Sequence, residues 1–600
     1  MAPRDLTALA APPPDATPRR PFPTRAALRA LLALSLAAYT VAALVLHWER
    51  AWPLALLELL LLAYFLLLTL APPLLLSRAS RLLAAARASR LLAAVLLALH
   101  AVALALLADR SAEALLSLLG LALLVGGSYA SSTNRRAVRW APVLSGFALQ
   151  FWMAVLVLRT AAGRDALRWL SCQVTALLAN ANEGAAFVFG LNGLPPPDNT
   201  QLLRAFTFGV MPVTIFFGSL CSCLLYVGVL QLIFEHVGAA FGFVMGVSPT
   251  EGIVTVANVF LSMTDSPLLL KPLLPLLTRS QLFAIMTGGF ASVAGGVLAA
   301  YISFGVDAAS LLAACLMSAP ASLAVAKLMV PDDDGECGAT TPLLLSHRAT
   351  HPDSRATYQR AHDEQKVASQ RSSHASGNSS RKLEAVELGQ VSPDVGASSD
   401  GLLHLRRIRM PRSPAGNLVE AAADGAATAA PMVAAIVTTL IAFVSLVHLL
   451  DTCVASLASL VGVDTDATQL LGLAFWPVAL LLGVPTDDCR LVGQYLGKKL
   501  ILNEFVAYAA MGADVGAGRL GERAATVATF ALCGFANLGS MGIMIGALSG
   551  IFPALRAPMV ADVTRALAAG TLACFSTACF ASLLYQPVEH GSGTDSIGSC

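Results

Sequence analysis

Residues 256–270 read VANVFLSMTDSPLLL, and residues 500–510 read LILNEFVAYAA. Both are apolar runs interrupted near the middle, the first by an amide, hydroxyls, an acid and a proline, the second by Asn503 and Glu504. Neither is long enough to cross a bilayer comfortably, because a spanning helix needs about 20 residues. Each is followed by a segment of small and polar residues, TGGFASVAGG at 287–296 and LCGFANLGS at 532–540. The intervals are similar: 27 residues from Asp265 to Ser292, and 33 from Glu504 to Asn537. Paired interrupted segments at corresponding places in two halves predict inverted repeats with a binding site near the bilayer midplane.

The physical reason is the cost of polarity in lipid. An ionised carboxylate at the bilayer centre costs about 2.5–3.5 kcal/mol on insertion scales. Backbone released from helical hydrogen bonds costs several kcal/mol per group there. Both are tolerated where they face protein, water, an ion or a polar solute. One acid can sit at a loop end near the headgroups. Two acids, each with a Gly/Asn/Ser-rich segment behind it, point to a polar site within the membrane.

Composition agrees. The 600 residues are 56% hydrophobic and 13% charged, against roughly 25% charged in a soluble domain, and mean hydropathy is +0.70. Lys and Arg number 39 and Asp and Glu 37, a net +2 with no basic surface for nucleic acid. Eleven cysteines include no C-x-x-C pair, so they read as small helix residues rather than bridges or zinc ligands. The predicted class is an all-α polytopic membrane protein. Apolar runs fall at about 30–47, 53–76, 91–107, 113–127, 138–158 and 206–234, then at about 284–304, 309–330, 431–456, 525–552 and 562–585. That makes about 11 transmembrane helices.

Loop charge predicts the orientation. Arg78, Arg81, Arg87 and Arg90 follow the second run, and Arg135, Arg136 and Arg139 follow the fourth, while alternate loops carry little. Excess Lys and Arg stays cytoplasmic, so the N-terminus reads as inside and the C-terminus as extracellular. Residues 1–29 are too long and polar for the start of a secretory signal. Segment 331–415, rich in Ser, His, Asp and Arg, has too little apolar surface to order itself and reads as a disordered cytoplasmic linker. Its sequon Asn378-Ser379-Ser380 would then never meet the glycosylation machinery.

Other classes fit less well. A membrane enzyme needs a nucleophile–base pair or a metal cluster, and the apolar runs hold only isolated His100 and His448. A receptor has no need of two interrupted segments, and a channel no need of paired repeats. A transporter of a polar solute uses both.

The motifs resemble those of the concentrative nucleoside transporters. Gly497, Lys499 and the run Asn503-Glu504-Phe505-Val506-Ala507-Tyr508 fit that family's G-x-K-x-x-x-N-E-F-V-A-Y signature. ALCGFANLGS at 531–540, MTDSPLLLKP at 263–272 and AYISFGVDAASL at 300–311 are similar to further blocks. So are FALQFWMAVLVLR at 147–159, EGAAFVFG at 183–190 and GNLVEAAADGA at 416–426. The likeness covers about 130–330 and 415–587, and the linker is an insertion relative to it.

The resemblance implies a homotrimeric elevator-type symporter with two re-entrant hairpins, moving nucleosides across the plasma membrane with sodium. It divides the chain into a cytoplasmic tail 1–29, N-terminal helices 30–127, and scaffold helices with interfacial segments 128–250. Then come the first hairpin and broken helix of the transport domain 251–330, the linker 331–415 and a scaffold helix 416–460. The second hairpin, broken helix and last span occupy 461–587, and a tail occupies 588–600. By position, Glu504, Asn537 and Ser540 would hold the ribose hydroxyls and Phe535 would supply an aromatic contact. Met263, Thr264, Asp265 and Val297 would contact the base; Asn258, Leu261, Ser292 and Val293 would ligate sodium. No cofactor beyond that coupling ion is implied.

The first hairpin departs from the pattern Gly/Ser-Gln-Thr-Glu, reading Ser262-Met263-Thr264-Asp265. Methionine lacks the amide of glutamine and packs on a flat ring, so purine nucleosides are expected over pyrimidine ones. Ser262 resembles pyrimidine-preferring relatives and pulls the other way. Asp265 can also be read as a proton acceptor, which leaves a proton-coupled symporter, or a carrier of another polar solute, as the alternative.

Overall fold

A computed structural model describes residues 111–189, 206–261, 263–269, 274, 277–332, 413, 415–460 and 462–586. The chain divides into two compact units, 1–71 and 72–600, and every described residue belongs to the second. The expected tail 1–29, the first three spans, nearly all of the linker 331–415, Ser262 and the tail 588–600 lie outside the described residues. All regular elements among those described are helical.

Helix α1 is Ala112–Ala130, and α2 is Trp140–Ala154, continued by a wider turn at Val155–Arg159. Helices α3 (Ala161–Ala179) and α4 (Ala181–Val188) follow. Next come α5 (Phe206–Val227), α6 (Val229–Met245), α7 (Pro249–Ala257) and the single turn α8 (Asp265–Leu268). Helix α9 is Arg279–Ala291, a tight turn Gly295–Val297 leads into α10 (Leu298–Ser303), and α11 is Ala308–Met329. Helix α12 runs without a break from Leu418 to Leu460, 43 residues. The last six are α13 (Ala467–Leu481), α14 (Cys489–Ile501), α15 (Glu504–Gly516), α16 (Glu522–Leu532), α17 (Leu538–Ile551) and α18 (Arg556–Leu583).

Six of these stretches are long and apolar enough to cross a membrane, or seven if the bent pair α5–α6 is one span. The expected runs at 113–127, 138–158, 309–330, 431–456 and 562–585 lie within α1, α2 with its wide turn, α11, α12 and α18, to within two residues at the ends. Three expected runs are not single helices. The run 206–234 bends by 81° at Gly228, whose φ of +89 an L side chain rarely adopts. The run 284–304 leaves helical geometry at Ser292, and 525–552 splits into α16 and α17 across residues 533–537. Hydropathy cannot register these breaks, because Gly, Ala and Phe within them are as apolar as the helices they separate. Helix α13 was not expected as a separate apolar run, although LLGLAFWPVALL is one.

One order of elements occurs twice. Helix α7, a polar break and α8 precede the broken α9/α10 and the long α11. Helix α14, a break and α15 precede the broken α16/α17 and the long α18. Helix α18 packs against α9, α11 and α16, and α11 against α9 and α16, with α1 against α18 and α2 against α11. The apolar stretch of Arg279–Val297, which holds α9 and the break after it, is 94% buried, whereas that of α12 is 6% buried. A helix apolar on all sides belongs either at such a centre or against lipid. Helix α5 packs along α12 and also touches the Gly295–Val297 turn and α10.

Close helix pairs approach through glycine. A methyl on Gly425 would stand 2.5 Å from the Gly218 carbonyl oxygen between α12 and α5. One on Gly252 would stand 2.2 Å from that of Gly238, and one on Gly493 2.5 Å from that of Gly472. Within lipid, packing of this kind replaces the hydrophobic effect as the source of helix association.

Buried polar ties add specificity. Gln150 of α2 donates to Ser576 and Thr577 of α18, both at 3.1 Å. Arg279 grips Asp562 through two bonds of 2.6 Å. Lys327, near the end of α11, pairs with Glu251 and Asp332 at 2.6 Å each and donates to Ser280 at 3.1 Å. Glu251 also completes the cap of α7, accepting from the backbone N–H of Ser248 at 3.0 Å. One ammonium thus fastens the first turns of α7 and α9 to the end of α11. Lys327→Met leaves Glu251 buried without its cation and should destabilise the protein by about 3–5 kcal/mol. Adding Glu251→Gln should recover much of that loss, measured as thermal unfolding of the purified protein in detergent.

Candidate binding site

The two broken helices meet at their breaks. Helix α9 stops at Ser292, whose backbone is extended at φ −114 and ψ 164. Helix α16 stops at Cys533, and α17 starts again under the cap of Asn537. A helix leaves four C=O groups without helical partners where it stops and four N–H groups where it starts. Part of this need is met by the opposite break: the N–H of Phe535 donates to the Ser292 carbonyl at 3.1 Å. The N–H of Gly295 donates to the Phe260 carbonyl at 3.1 Å, which ties the α7–α8 loop to the same place. Gly534 permits the crossing, since a methyl there would lie 2.8 Å from the Phe290 carbonyl oxygen and 2.7 Å from Cys574 Sγ.

Glu504 opens α15, where the helix dipole favours a carboxylate. Asn503 caps that helix by accepting from the Val506 N–H at 3.1 Å. The Glu504 side chain is 1% exposed. Its Oε1 accepts from the Tyr301 hydroxyl at 3.3 Å and its Oε2 from Asn537 Nδ2 at 3.0 Å. Asn537 Oδ1 in turn accepts from the Ser540 N–H at 2.9 Å. A carboxylate has about four lone-pair positions, so these two donors leave acceptor capacity for hydroxyls of a solute. Tyr301 is held by ring contacts to Tyr508 and Phe505 at centroid separations of 4.7 and 5.1 Å. Tyr508 is fixed by donating to the Thr529 carbonyl at 2.8 Å.

A second polar cluster lies beside α9. Asn258 ends α7, is buried, and neither atom of its amide has a hydrogen-bond partner. Burying an unpartnered amide costs roughly 1–3 kcal/mol, so this orphan marks a place for a ligand. A methyl on Gly288 would stand 3.0 Å from Asn258 Nδ2. The Ser292 hydroxyl donates to the Gly288 carbonyl at 2.9 Å, so both side chains gather at the last turn of α9. Leu261 and Val293 are buried on either side of this turn in the chain path. The donor set is amide, hydroxyl and carbonyl oxygen with no thiolate or imidazole, which fits a hard cation.

The base-side residues converge less tightly. Met263 is buried against α9, 2.9 Å from where a Gly289 Cβ would stand. Thr264 and Asp265 are half-buried at the start of α8, and Val297 is buried at the end of the tight turn. Glu504, Asn537 and Ser540 are thus joined by hydrogen bonds, as are Ser292 and Phe535. Asn258, Met263 and Ser292 share the final turn of α9.

Two family models match the chain, the N-terminus of Na+ dependent nucleoside transporters over residues 119–192 and their C-terminus over 400–582. A structure of a CNTnw variant in an intermediate state is 30% identical, with a TM-score of 0.62 over 78% of this chain and 98% of that one. The chain belongs to the sodium-dependent nucleoside transporter family. CNTnw in an inward-facing substrate-bound state superimposes with a TM-score of 0.62 at 29% identity, covering 79% of this chain and 98% of that one. Solute carrier family 28 member 3 of Eptatretus stoutii is 34% identical over 494 residues, 80% of this chain and 62% of its own. Sodium/nucleoside cotransporter 2 of Rattus norvegicus is 32% identical over 499 residues, 81% of this chain and 64% of its own. The chain therefore spans about three fifths of the length of the curated relatives it matches. The family is one of transporters, not enzymes.

Three residues beside these clusters were given no site role from the sequence. Tyr301 lies in the quoted block AYISFGVDAASL, but an aromatic in an apolar helix reads as packing. Lys499 stands in the G-x-K part of the quoted signature, which assigns it no role, and it is buried whereas Lys498 beside it is not. Thr287 is fully buried on α9 with an unpartnered hydroxyl. Its only sequence signal is its position at the head of TGGFASVAGG.

Proposed function

We propose that the chain is a secondary active symporter that moves nucleosides into the cell down a sodium gradient. The observation that carries this reading is the buried Glu504–Asn537–Ser540 cluster, joined through the Phe535–Ser292 backbone bond to the orphaned amide of Asn258. A ribose presents vicinal hydroxyl donors to an ionised carboxylate, and hydrogen bonds to charged groups are the stronger ones. Asn537 holds Glu504 through its Nδ2, and Ser540 adds a hydroxyl one turn into α17. Sodium as the co-substrate takes the oxygens of Asn258, Leu261, Ser292 and Val293. Ser292 then serves both partners, its hydroxyl facing the ion and its carbonyl fixing Phe535. The relatives named as sodium/nucleoside cotransporters favour sodium over protons as the coupling ion.

The finer architecture follows the same reading. The α7–α8 and α14–α15 units act as re-entrant hairpins of an inverted repeat. The α5–α12 pair is the scaffold of a homotrimer, and the bundle around α9, α11, α16 and α18 is the part that moves in an elevator. Structures of CNTnw in inward-facing, outward-facing and intermediate states support alternating access. Eleven spans in the plasma membrane would place the N-terminus and residues 331–415 in the cytoplasm and the C-terminus outside.

Sodium-driven uptake of labelled nucleosides into reconstituted vesicles tests the whole proposal. Glu504→Gln keeps shape and removes charge, and should weaken apparent nucleoside affinity by about 10-fold or more. Near-normal uptake by the correctly inserted variant would remove Glu504 from the site. Ser292→Ala should raise the sodium concentration for half-maximal uptake more than it changes nucleoside affinity at saturating sodium. Uptake that follows external pH and ignores replacement of sodium by choline would overturn the coupling assignment. Met263 offers a purine face a flat apolar contact and offers a pyrimidine edge no amide, so adenosine and inosine should compete better than uridine and cytidine. Met263→Gln should shift that order toward pyrimidines, by about 1–3 kcal/mol for the regained edge.

A further inference from the structure

Lys499 is a buried cation that the transport scheme above does not use. It lies in the last turn of α14, 2% exposed, and its ammonium donates to the Ala531 carbonyl at 2.9 Å. Ala531 belongs to the final turn of α16, just before the break at 533–537, where carbonyls lack helical partners. Burying an ammonium costs several kcal/mol unless negative charge compensates it. A neutral carbonyl is weak compensation. The break that follows Ala531 is closed by Asn537, whose Nδ2 donates to Glu504 Oε2 at 3.0 Å.

The unpartnered carbonyls at the C-terminal end of α16 carry the negative end of its dipole, and the fixed ammonium meets them there. Glu504 takes its hydrogen bonds from Tyr301 and Asn537, while the described hydrogen bond of Lys499 goes to the backbone of α16. Asn537 is the cap of α17, on the far side of the break that Lys499 pins. Displacing the end of α16 would move Asn537 and, with it, the donor that aims Glu504.

We infer that Lys499 is a positioning residue for ribose recognition, holding the α16 break and the Glu504 carboxylate in the arrangement that receives the sugar hydroxyls. This rests on the nucleoside-transport reading and adds to it. It makes selectivity for hydroxylated sugars depend on a side chain that touches no substrate.

The test compares KM for adenosine with KM for 2′,3′-dideoxyadenosine in reconstituted full-length protein. The KM for the dideoxy analogue divided by the KM for adenosine reports the value of the sugar hydroxyls, and general loss of folding or packing would not move it selectively. Lys499→Gln can still donate to Ala531 but carries no charge, Lys499→Met can do neither, and Lys499→Arg keeps both. The wild-type ratio should fall at least about fivefold in Lys499→Gln and Lys499→Met, and Lys499→Arg should stay closer to wild type than either. If Lys499→Met does not assemble, Lys499→Gln alone decides. An unchanged ratio in Lys499→Gln overturns the role of Lys499 and leaves the transport reading standing. Absence of adenosine and uridine uptake by the wild-type protein overturns both.

Discussion

A broken helix in a low-dielectric interior must find partners for the backbone groups its break releases, and the centre of this protein is organised around that need. The Phe535 N–H meets the Ser292 carbonyl, the Gly295 N–H meets the Phe260 carbonyl, and Lys499 meets the Ala531 carbonyl. Asn503 and Asn537 close the starts of α15 and α17. Each such bond replaces water that is absent at this depth, and leaving one unmade would cost several kcal/mol. The breaks can therefore exist only together, which is why the two halves of the chain meet there.

The same constraint explains how much could be read in advance. The interruptions at 258–265 and 503–504 are legible because acids and amides stand out within apolar runs. The breaks at 292–294 and 533–537 show in the sequence only as small residues, which membrane helices also use for close packing. Gly228 is less legible still: it sits in an unbroken apolar run, and its left-handed backbone is a property of the tertiary arrangement. Site residues follow the same pattern. Glu504, Asn537 and Ser540 stand in recognisable motifs and are bonded together in the structure. Tyr301 joins them through a contact more than 200 residues away in the chain, and Lys499, though it stands in the same signature as Glu504, shows its role only through its bond to Ala531.

Two kinds of force hold the elements around this centre. Glycine-mediated approach, as between Gly218 and Gly425, relies on dispersion and shape and tolerates small sliding. The ties of Gln150, Lys327 and Asp562 are directional and localised at particular helix turns. The former runs along α5 and α12; the latter join α2, α7, α9, α11 and α18. The inner bundle is thus locked in register, and the α5–α12 pair rests on surface contact.

Helix α12 also carries a vertical scale. A 43-residue helix is about 64 Å long at 1.5 Å per residue, more than twice a hydrocarbon core of about 30 Å. Its interior proline, Pro431, and its acid Asp451, which accepts from Thr468 at 2.8 Å, lie about 30 Å apart along the axis. Between them the helix is apolar or hydroxylic except for His448; before Pro431 it carries Glu420 and Asp424. The lipid slab therefore has one natural berth on this rod. The segment before Pro431, where Gly425 packs on Gly218 of α5, extends the rod by about 20 Å, and the segment after Asp451 extends it by about 14 Å. Both extensions lengthen the face on which α12 meets its neighbours α5 and α13 beyond what one crossing of the hydrocarbon would need.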